Sequence, residues 1–407
     1  MQSDSLLNDA QARIVFDVQA DAHVRLGLLE RICLMLGIVE ITLQIDKYLM
    51  FHEQDALLGA VGGFNVSVTT ISIFALYWFW ITKAVASRSN QFEGFDFGIP
   101  MLFYIAAVAI SLLSATLPIL GLFDLFLLSQ AFLLFVYIAN RIRHSDDLIY
   151  CFTCLATTVL LQSFFIVGLY AMGDAAYGQY FEIGPLVLSV WDDGRPAGSM
   201  QSAVLAGSTM ALMWLPSSSL LFVDGLSRGS RLIFAASAVF GLLAIMLTQT
   251  RGAIISSVVG AGILCFGLRL RNWLPKWTSA MALFLCLICA FPLYVVVKNR
   301  IQGGDSGSAK ARLHLSAIAL ELIEERPFTG YGAGNCHIAG QRFADQVRYR
   351  AEWYYTIHCK YLLAWIETGL IGLTAFLLVL GKGFRDGWLA WTSFDRKIGR
   401  ASCRERV

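Results

Sequence analysis

Apolar residues fall in runs long enough to cross a bilayer, separated by short polar connections. With about 20 apolar residues per crossing helix, the pattern predicts ten spans, near 27–45, 57–82, 99–117, 119–139, 148–171, 199–222, 231–248, 252–268, 278–297 and 357–380. Glu30 and Arg31 interrupt the start of the first, and only Pro118 and its neighbours divide the third from the fourth. One long polar segment, 298–356, stands between the last two spans. In it, Gly303-Gly304-Asp305-Ser306-Gly307 reads as a hinge. Ala309 to Glu325 reads as a helix stopped by Pro327, with Leu313, Ala317, Leu320 and Ile323 or Glu324 near helical spacing and Arg312, Glu321 and Glu325 on other faces. Such a helix suits the membrane surface. The expected fold class is therefore all-α: a polytopic membrane protein of about ten transmembrane helices, with a large outer loop that contains short helices. The chain divides into an N-terminal segment 1–22, a transmembrane scaffold 23–297, the loop 298–356, a closing helix 357–385 and a polar tail 386–407. The stretch 397–407, with Cys403, reads as translated adapter sequence, in which case the natural chain continues differently.

Composition agrees. Of 407 residues, 57% are hydrophobic and 15% charged, against about 25% charged in soluble domains. A formal net charge of +2 leaves no polybasic surface for nucleic acid. The polar, mixed-charge start lacks the basic-then-apolar pattern of a cleaved signal peptide. Most of the nine cysteines sit in apolar runs as small packing residues, including the CxxC-spaced pair Cys151 and Cys154.

Short loops orient the spans. Lys83, Arg88, Arg141, Arg143, Arg228, Arg231, Arg269, Arg271, Lys276, Lys382 and Arg385 fall on one side, and only Lys47, Arg195 and Arg251 on the other. The first side is expected to be cytoplasmic, together with the N-terminus. The loop 298–356 is then outside, and Arg195, Arg251 and His358 share the outer face.

Those three residues carry the candidate chemistry. Arg251 sits in Thr248-Gln-Thr-Arg-Gly-Ala253 between two apolar runs, either snorkelling to the interface or facing an anion. Arg195, in Trp191-Asp-Asp-Gly-Arg-Pro-Ala-Gly198, pairs with Asp192 or Asp193 or is aimed at a phosphate, for which a planar, permanently charged guanidinium is suited. His358 enters the last span. An imidazole there is either structural or the group that accepts a hydroxyl proton. His337 is a rival base and His314 a weaker one. Arg342, Arg348 and Arg350, with Trp353, Tyr354 and Tyr355, form an interfacial anchor or a sugar and phosphate contact surface. Gly330-Tyr-Gly-Ala-Gly334 looks like a nucleotide loop, yet it follows a helix on the outer face, so its glycines are assigned to positive φ and close packing. Cys336 and Cys359 are both placed outside, where a disulfide is chemically open to them. No metal-binding spacing occurs.

The pattern resembles the O-antigen ligase and polymerase family of bacterial inner-membrane proteins. The resemblance rests on Gly194-Arg-Pro-Ala-Gly198 before a span, Thr250-Arg-Gly-Ala253 between two spans, Arg326-Pro-Phe-Thr-Gly-Tyr-Gly-Ala-Gly-Asn335, and His358-Cys359 followed after nine residues by Gly369-Leu-Ile-Gly372. Cys359 stands where ligases of the family usually have Asn, Ser or Gln. The resemblance implies a metal-independent, cofactor-free glycosyl transfer at the periplasmic face of the inner membrane. The donor is a glycan on undecaprenyl diphosphate, and the acceptor is a sugar hydroxyl of lipid A–core or another glycan. His358 would be the base. Arg195 and Arg251 would hold the diphosphate, with His337, Arg342, Arg348 and Arg350 as accessory residues. Direct displacement would invert the anomeric centre. A polymerase or protein O-oligosaccharyltransferase of the same family is the first alternative. A transporter or flippase for lipid-linked sugars is the alternative of another class, though it would be expected to carry ionisable groups within spans and repeated halves.

Overall fold

A computed structural model describes residues 25–54, 61–87, 98–223, 226–270, 308–343 and 356–404. The expected span 278–297, the hinge 303–307, the segment 1–22, Arg348, Arg350 and Trp353 to Tyr355 lie outside these residues. The helices are α1 (Leu28–Leu43), α2 (Val68–Ser87), α3 (Gly98–Ser111), α4 (Pro118–Arg141), α5 (Ser145–Ala171), α6 (Ala203–Ser219), α7 (Arg228–Leu247), α8 (Arg251–Leu270), α9 (Ser308–Glu325), α10 (Cys336–Gly340) and α11 (Lys360–Arg404). Among the described residues, seven helical stretches are long and apolar enough to cross a membrane, in α2, α4, α5, α6 with its following turn, α7, α8 and the first 33 residues of α11. The chain is a multi-pass membrane protein. Bulky side chains along α2, such as Ile71, Phe74, Trp78 and Ile81, are left exposed on one face, as a lipid-facing helix requires.

Hydropathy did not reveal two small sheets. Strands β1 (Asp46–Phe51) and β2 (Gly63–Ser67) pair, so the helix expected from 57 begins at Val68. Strands β3 (Tyr180–Ile183), β4 (Leu186–Val190) and β5 (Pro196–Gly198) form an antiparallel sheet between α5 and α6. The expected span from 199 correspondingly starts at Ala203, capped by the Ser202 hydroxyl, which accepts from the Leu205 N–H.

The chain folds as two compact units: residues 1–47, 66–91 and 137–305, and residues 48–65, 92–136 and 306–407. In the first, charges tie helix ends together. Glu30 is buried on α1 and ion-pairs with Lys83 of α2. It also accepts from Arg141 Nη2 and the Tyr137 hydroxyl, each at 3.3 Å. Arg31 pairs with the buried Asp147 of α5 at 2.7 Å. The two charges that interrupt the first apolar run thus hold a four-helix junction, and Lys83 and Arg141, assigned to one face by the loop charges, meet on one carboxylate.

In the second unit, α9 packs on the start of α11. Leu315, Ile318, Ala319, Leu322 and Ile323 share a buried cluster with Ile357, Leu363 and Ile366. The helix matches the expected Ala309–Glu325, but its buried stripe does not. Leu313 is 71% exposed and Leu320 53% exposed. Two apolar stripes have helical spacing, and the one facing Ile357 and Leu363 is the one buried.

Candidate active site

In the first unit the site is built at the start of α6. The Trp191–Arg195 turn is closed by Trp191 N–H donating to Arg195 O at 3.0 Å and Gly194 N–H donating to Trp191 O at 2.8 Å. Asp193 takes the Nε edge of Arg195 at 2.7 Å, and the guanidinium stacks on Trp191, 4.8 Å from the ring centroid. Of the two acidic neighbours open to Arg195, Asp193 is the partner. No described residue bonds the Nη groups. The strand that follows is fixed from behind. Buried Gln162 of α5 donates from Nε2 to the Thr42 carbonyl at 2.8 Å and to the Ser199 hydroxyl, which also donates to Thr42 O at 2.7 Å. Arg195 is buried, at 8% exposure, so its direction is set by this framework rather than by solvent.

Arg251 reaches the same end of the unit. Helix α7 closes at Thr248, Gln249 adopts φ 51°, and α8 begins at Arg251. The Thr250 hydroxyl donates to Ala203 O at 2.9 Å, which docks this turn on the first residue of α6. Both arginine-bearing turns therefore flank one helix start. Sequence reasoning proposed the two arginines and placed Thr250 in a motif without its docking role, but missed Gln162 and Ser199.

In the second unit, the glycine turn and the last helix are one construction. Helix α11 breaks at Gly369, which has φ 66° and ψ −173°, a region open essentially to glycine alone. The break frees the carbonyls of Ile366 and Glu367. Tyr331 N–H donates to the first at 2.8 Å and Gly332 N–H to the second at 2.9 Å, while Leu370 N–H turns to Pro327 O at 2.9 Å. Gly330, Gly332 and Gly334 all have positive φ. Gly330 N–H donates to Arg326 O, Ala333 N–H to the Ser111 hydroxyl and Asn335 N–H to Gly332 O, while the N–H groups of Gly334 and Cys336 reach the Glu367 carboxylate. The Asn335 amide clamps Leu117, accepting from its N–H at 2.8 Å and donating to its carbonyl at 3.1 Å. Every N–H from 330 to 336 is thus used internally. Despite its glycine spacing, the turn has no N–H left to cradle a phosphate, in line with its assignment to packing.

His358 lies two residues before α11 and is exposed. Neither ring nitrogen is hydrogen-bonded by a described residue. Partial burial, followed by the nearby charges of Arg312 and Lys360, holds its pKa below the ordinary histidine value. The ring is therefore kept neutral, as an acceptor of protons. His337 is buried in α10 at 2% exposure. Arg342 ion-pairs with Glu325, stacks on Phe343 at 5.0 Å and lies over Tyr331 at 5.8 Å, and its hydrogen bond lowers the Glu325 pKa. Tyr331 donates to the same carboxylate at 2.9 Å, so Arg342 pins the turn to the end of α9. Cys336 is buried and Cys359 exposed, and both are free thiols rather than a disulfide. Burial pushes the Cys336 thiol up to about 12.

The sequence model of the O-antigen ligase family matches residues 236–377. Over this segment, about a third of the chain, the protein is similar to the O-antigen ligase family. No curated protein matches the chain. The family segment spans Arg251, α8, α9, the glycine turn, His358 and the Gly369 break, and leaves Arg195 outside. The O-antigen ligase family is a membrane glycosyltransferase-like family, whose chemistry joins a lipid-linked glycan to an acceptor.

Proposed function

We propose that this protein acts as an O-antigen ligase, transferring a glycan from undecaprenyl diphosphate to a sugar hydroxyl of lipid A–core at the periplasmic face of the bacterial inner membrane. His358 removes the acceptor proton. Arg195 and Arg251 stabilise the negative charge that grows on the departing diphosphate, a role that a metal ion fills in many other transferases. Attack opposite the diphosphate inverts the anomeric carbon. The observation that carries the reading is the state of His358: exposed at the entry to a membrane span, without a hydrogen-bonding partner among the described residues, and held neutral by its surroundings.

The arginine geometry supports the same chemistry. Asp193 and Trp191 fix one edge and one face of the Arg195 guanidinium, leaving the Nη edge for a bidentate contact with a phosphate. Arg251 is the first residue of α8, on the turn that Thr250 docks against the start of α6.

The test is transfer by the purified full-length protein in proteoliposomes, with an undecaprenyl-diphosphate glycan and three acceptors offered separately: lipid A–core, a second donor glycan and a peptide. Transfer to lipid A–core is expected. Extension of the glycan would make the protein a polymerase, transfer to the peptide an oligosaccharyltransferase, and no transfer to any acceptor would overturn the proposal.

A further inference from the structure

The unit that carries His358 holds cations of its own. Leu315 lies one turn beyond Arg312 on α9, and Ile357 immediately precedes His358. Both are buried in the same cluster, so the seam between α9 and α11 brings Arg312 within electrostatic reach of the imidazole. Lys360 is the first residue of α11, two positions after His358, and its ammonium also acts on the ring. Arg312, His358 and Lys360 are all exposed.

This placement is unfavourable for a protein alone. A helix start carries partial positive charge from its unpaired N–H groups and favours anions. Lys360 adds a full positive charge there, and Arg312 adds another. No described carboxylate forms an ion pair with either side chain. Asp124 and Glu367, from the membrane side of the same unit, lie within electrostatic reach of Lys360 without contacting it, and Glu367 is already engaged by the N–H groups of Gly334 and Cys336. Two cations without an ion-pair partner among the described residues, together with a helix start at an exposed imidazole, are complementary to a ligand with concentrated negative charge.

We propose that Arg312, Lys360 and the first turn of α11 form a phosphate-binding site beside His358, which holds a phosphate group of a lipid substrate. The guanidinium supplies a planar fork for two phosphate oxygens, the ammonium a point charge, and the helix start backbone donors. Both the diphosphate of a lipid-linked donor and the phosphates of a lipid acceptor have this chemistry. The choice of lipid phosphates over soluble ones rests on the proposed transfer reaction.

The experiment is equilibrium binding to the full-length protein in nanodiscs, with three probes: a polyprenyl diphosphate, a bis-phosphorylated lipid A and the uncharged polyprenol. The double variant Arg312→Gln/Lys360→Gln is expected to weaken one phosphorylated lipid by about tenfold or more, the loss of one or two charge-assisted contacts, and to leave polyprenol binding unchanged. The lipid that loses affinity identifies the source of the phosphate. Lys360→Arg, which keeps the charge, should retain most of the affinity. A second measurement needs no variant: labelling of Lys360 by an amine-reactive reagent, read by mass spectrometry. One phosphorylated lipid should protect it and polyprenol should not. Unchanged affinity for both phosphorylated lipids in the double variant, or unchanged labelling of Lys360 with each of them bound, would overturn the assignment. A His358→Ala protein that still transfers glycan would overturn the proposed reaction but would leave these binding results intact, so the two failures are separable.

Discussion

Gly369→Ala should dismantle the junction between the glycine turn and the last helix. A Cβ at this position would overlap the Phe328 carbonyl and lie 2.9 Å from the Thr329 nitrogen. Both are backbone atoms, so no side-chain rotation relieves the clash. The φ of 66° with ψ of −173° adds about 1–3 kcal/mol of strain for a residue other than glycine. Moving the 327–332 backbone away would break Leu370 N–H to Pro327 O, Trp365 Nε1–H to Pro327 O, Tyr331 N–H to Ile366 O and Gly332 N–H to Glu367 O, all between 2.8 and 2.9 Å. At about 1 kcal/mol net for each of the four bonds, the total cost with the strain is roughly 5–7 kcal/mol. That is a large part of the margin of a typical folded domain, about 5–15 kcal/mol. Hydrogen exchange read by mass spectrometry on purified protein is the direct assay, because the amides of 330–336 are internally bonded. In Gly369→Ala this segment should lose protection, while α5 and α6 of the other unit keep theirs. Gly381→Ala is the control. It lies on the same helix with no atom within 4 Å of the added methyl, and should be neutral or slightly stabilising. Full protection of 330–336 in Gly369→Ala would refute the argument that the helix break and the turn are one structure.

Four further outcomes follow from the same geometry. Glu30→Ala removes the acceptor shared by Lys83, Arg141 and Tyr137 and leaves the buried Arg141 without it, so the protein should lose about 3–5 kcal/mol, read as a lower thermal unfolding midpoint in detergent. Arg251→Ala should cut the transfer rate by about 10²–10³ with the fold retained, and Arg251→Lys should recover only part of it because an ammonium lacks the bidentate fork. The acid limb of the rate profile should fall below pH 6.5, the ordinary histidine value: the neutral ring is the base, its pKa is lowered, and activity is therefore lost only as pH drops through that lowered value. With Cys359 kept as the single cysteine, an impermeant maleimide should label it from the periplasmic side. With Cys336 alone, labelling should wait for unfolding, since that thiol is buried.

The sequence made some of this plain and hid the rest for physical reasons. Long apolar runs such as 119–139 and 148–171 became α4 and α5 because membrane helices must satisfy their backbone internally and show little but hydropathy. The same measure was blind at Gly63–Ser67, where a short strand runs directly into an apolar helix. On α9, Pro327 marked the end, but the buried stripe depended on Ile357 and Leu363, which lie far along the chain. Glu30 and Arg31 looked like defects in the first span because their partners, Lys83, Arg141 and Asp147, belong to other helices. Arg195, Arg251 and His358 stood out as charges and an imidazole at the ends of spans. Gln162 and Ser199, which fix the strand behind Arg195, did not, because a polar residue in an apolar run gives no sign of what it will meet. Gly369 and Gly372 were legible as a spaced pair. Their meaning, a helix broken to receive the glycine turn, required the turn itself, and a Cβ on Gly372 would run into the side chain of Thr368 across the same break.

The central claim is that His358 is the base of a glycosyl transfer. The most direct measurement is the transfer rate of His358→Ala against the parent protein, in proteoliposomes with a saturating lipid-linked donor and lipid A–core. Hydrogen exchange on the same samples would confirm that 330–336 stays protected. The account predicts a fall of about 10²–10⁴ in rate with that protection intact. A rate within about twofold of the parent, well short of what loss of a general base costs, would contradict it.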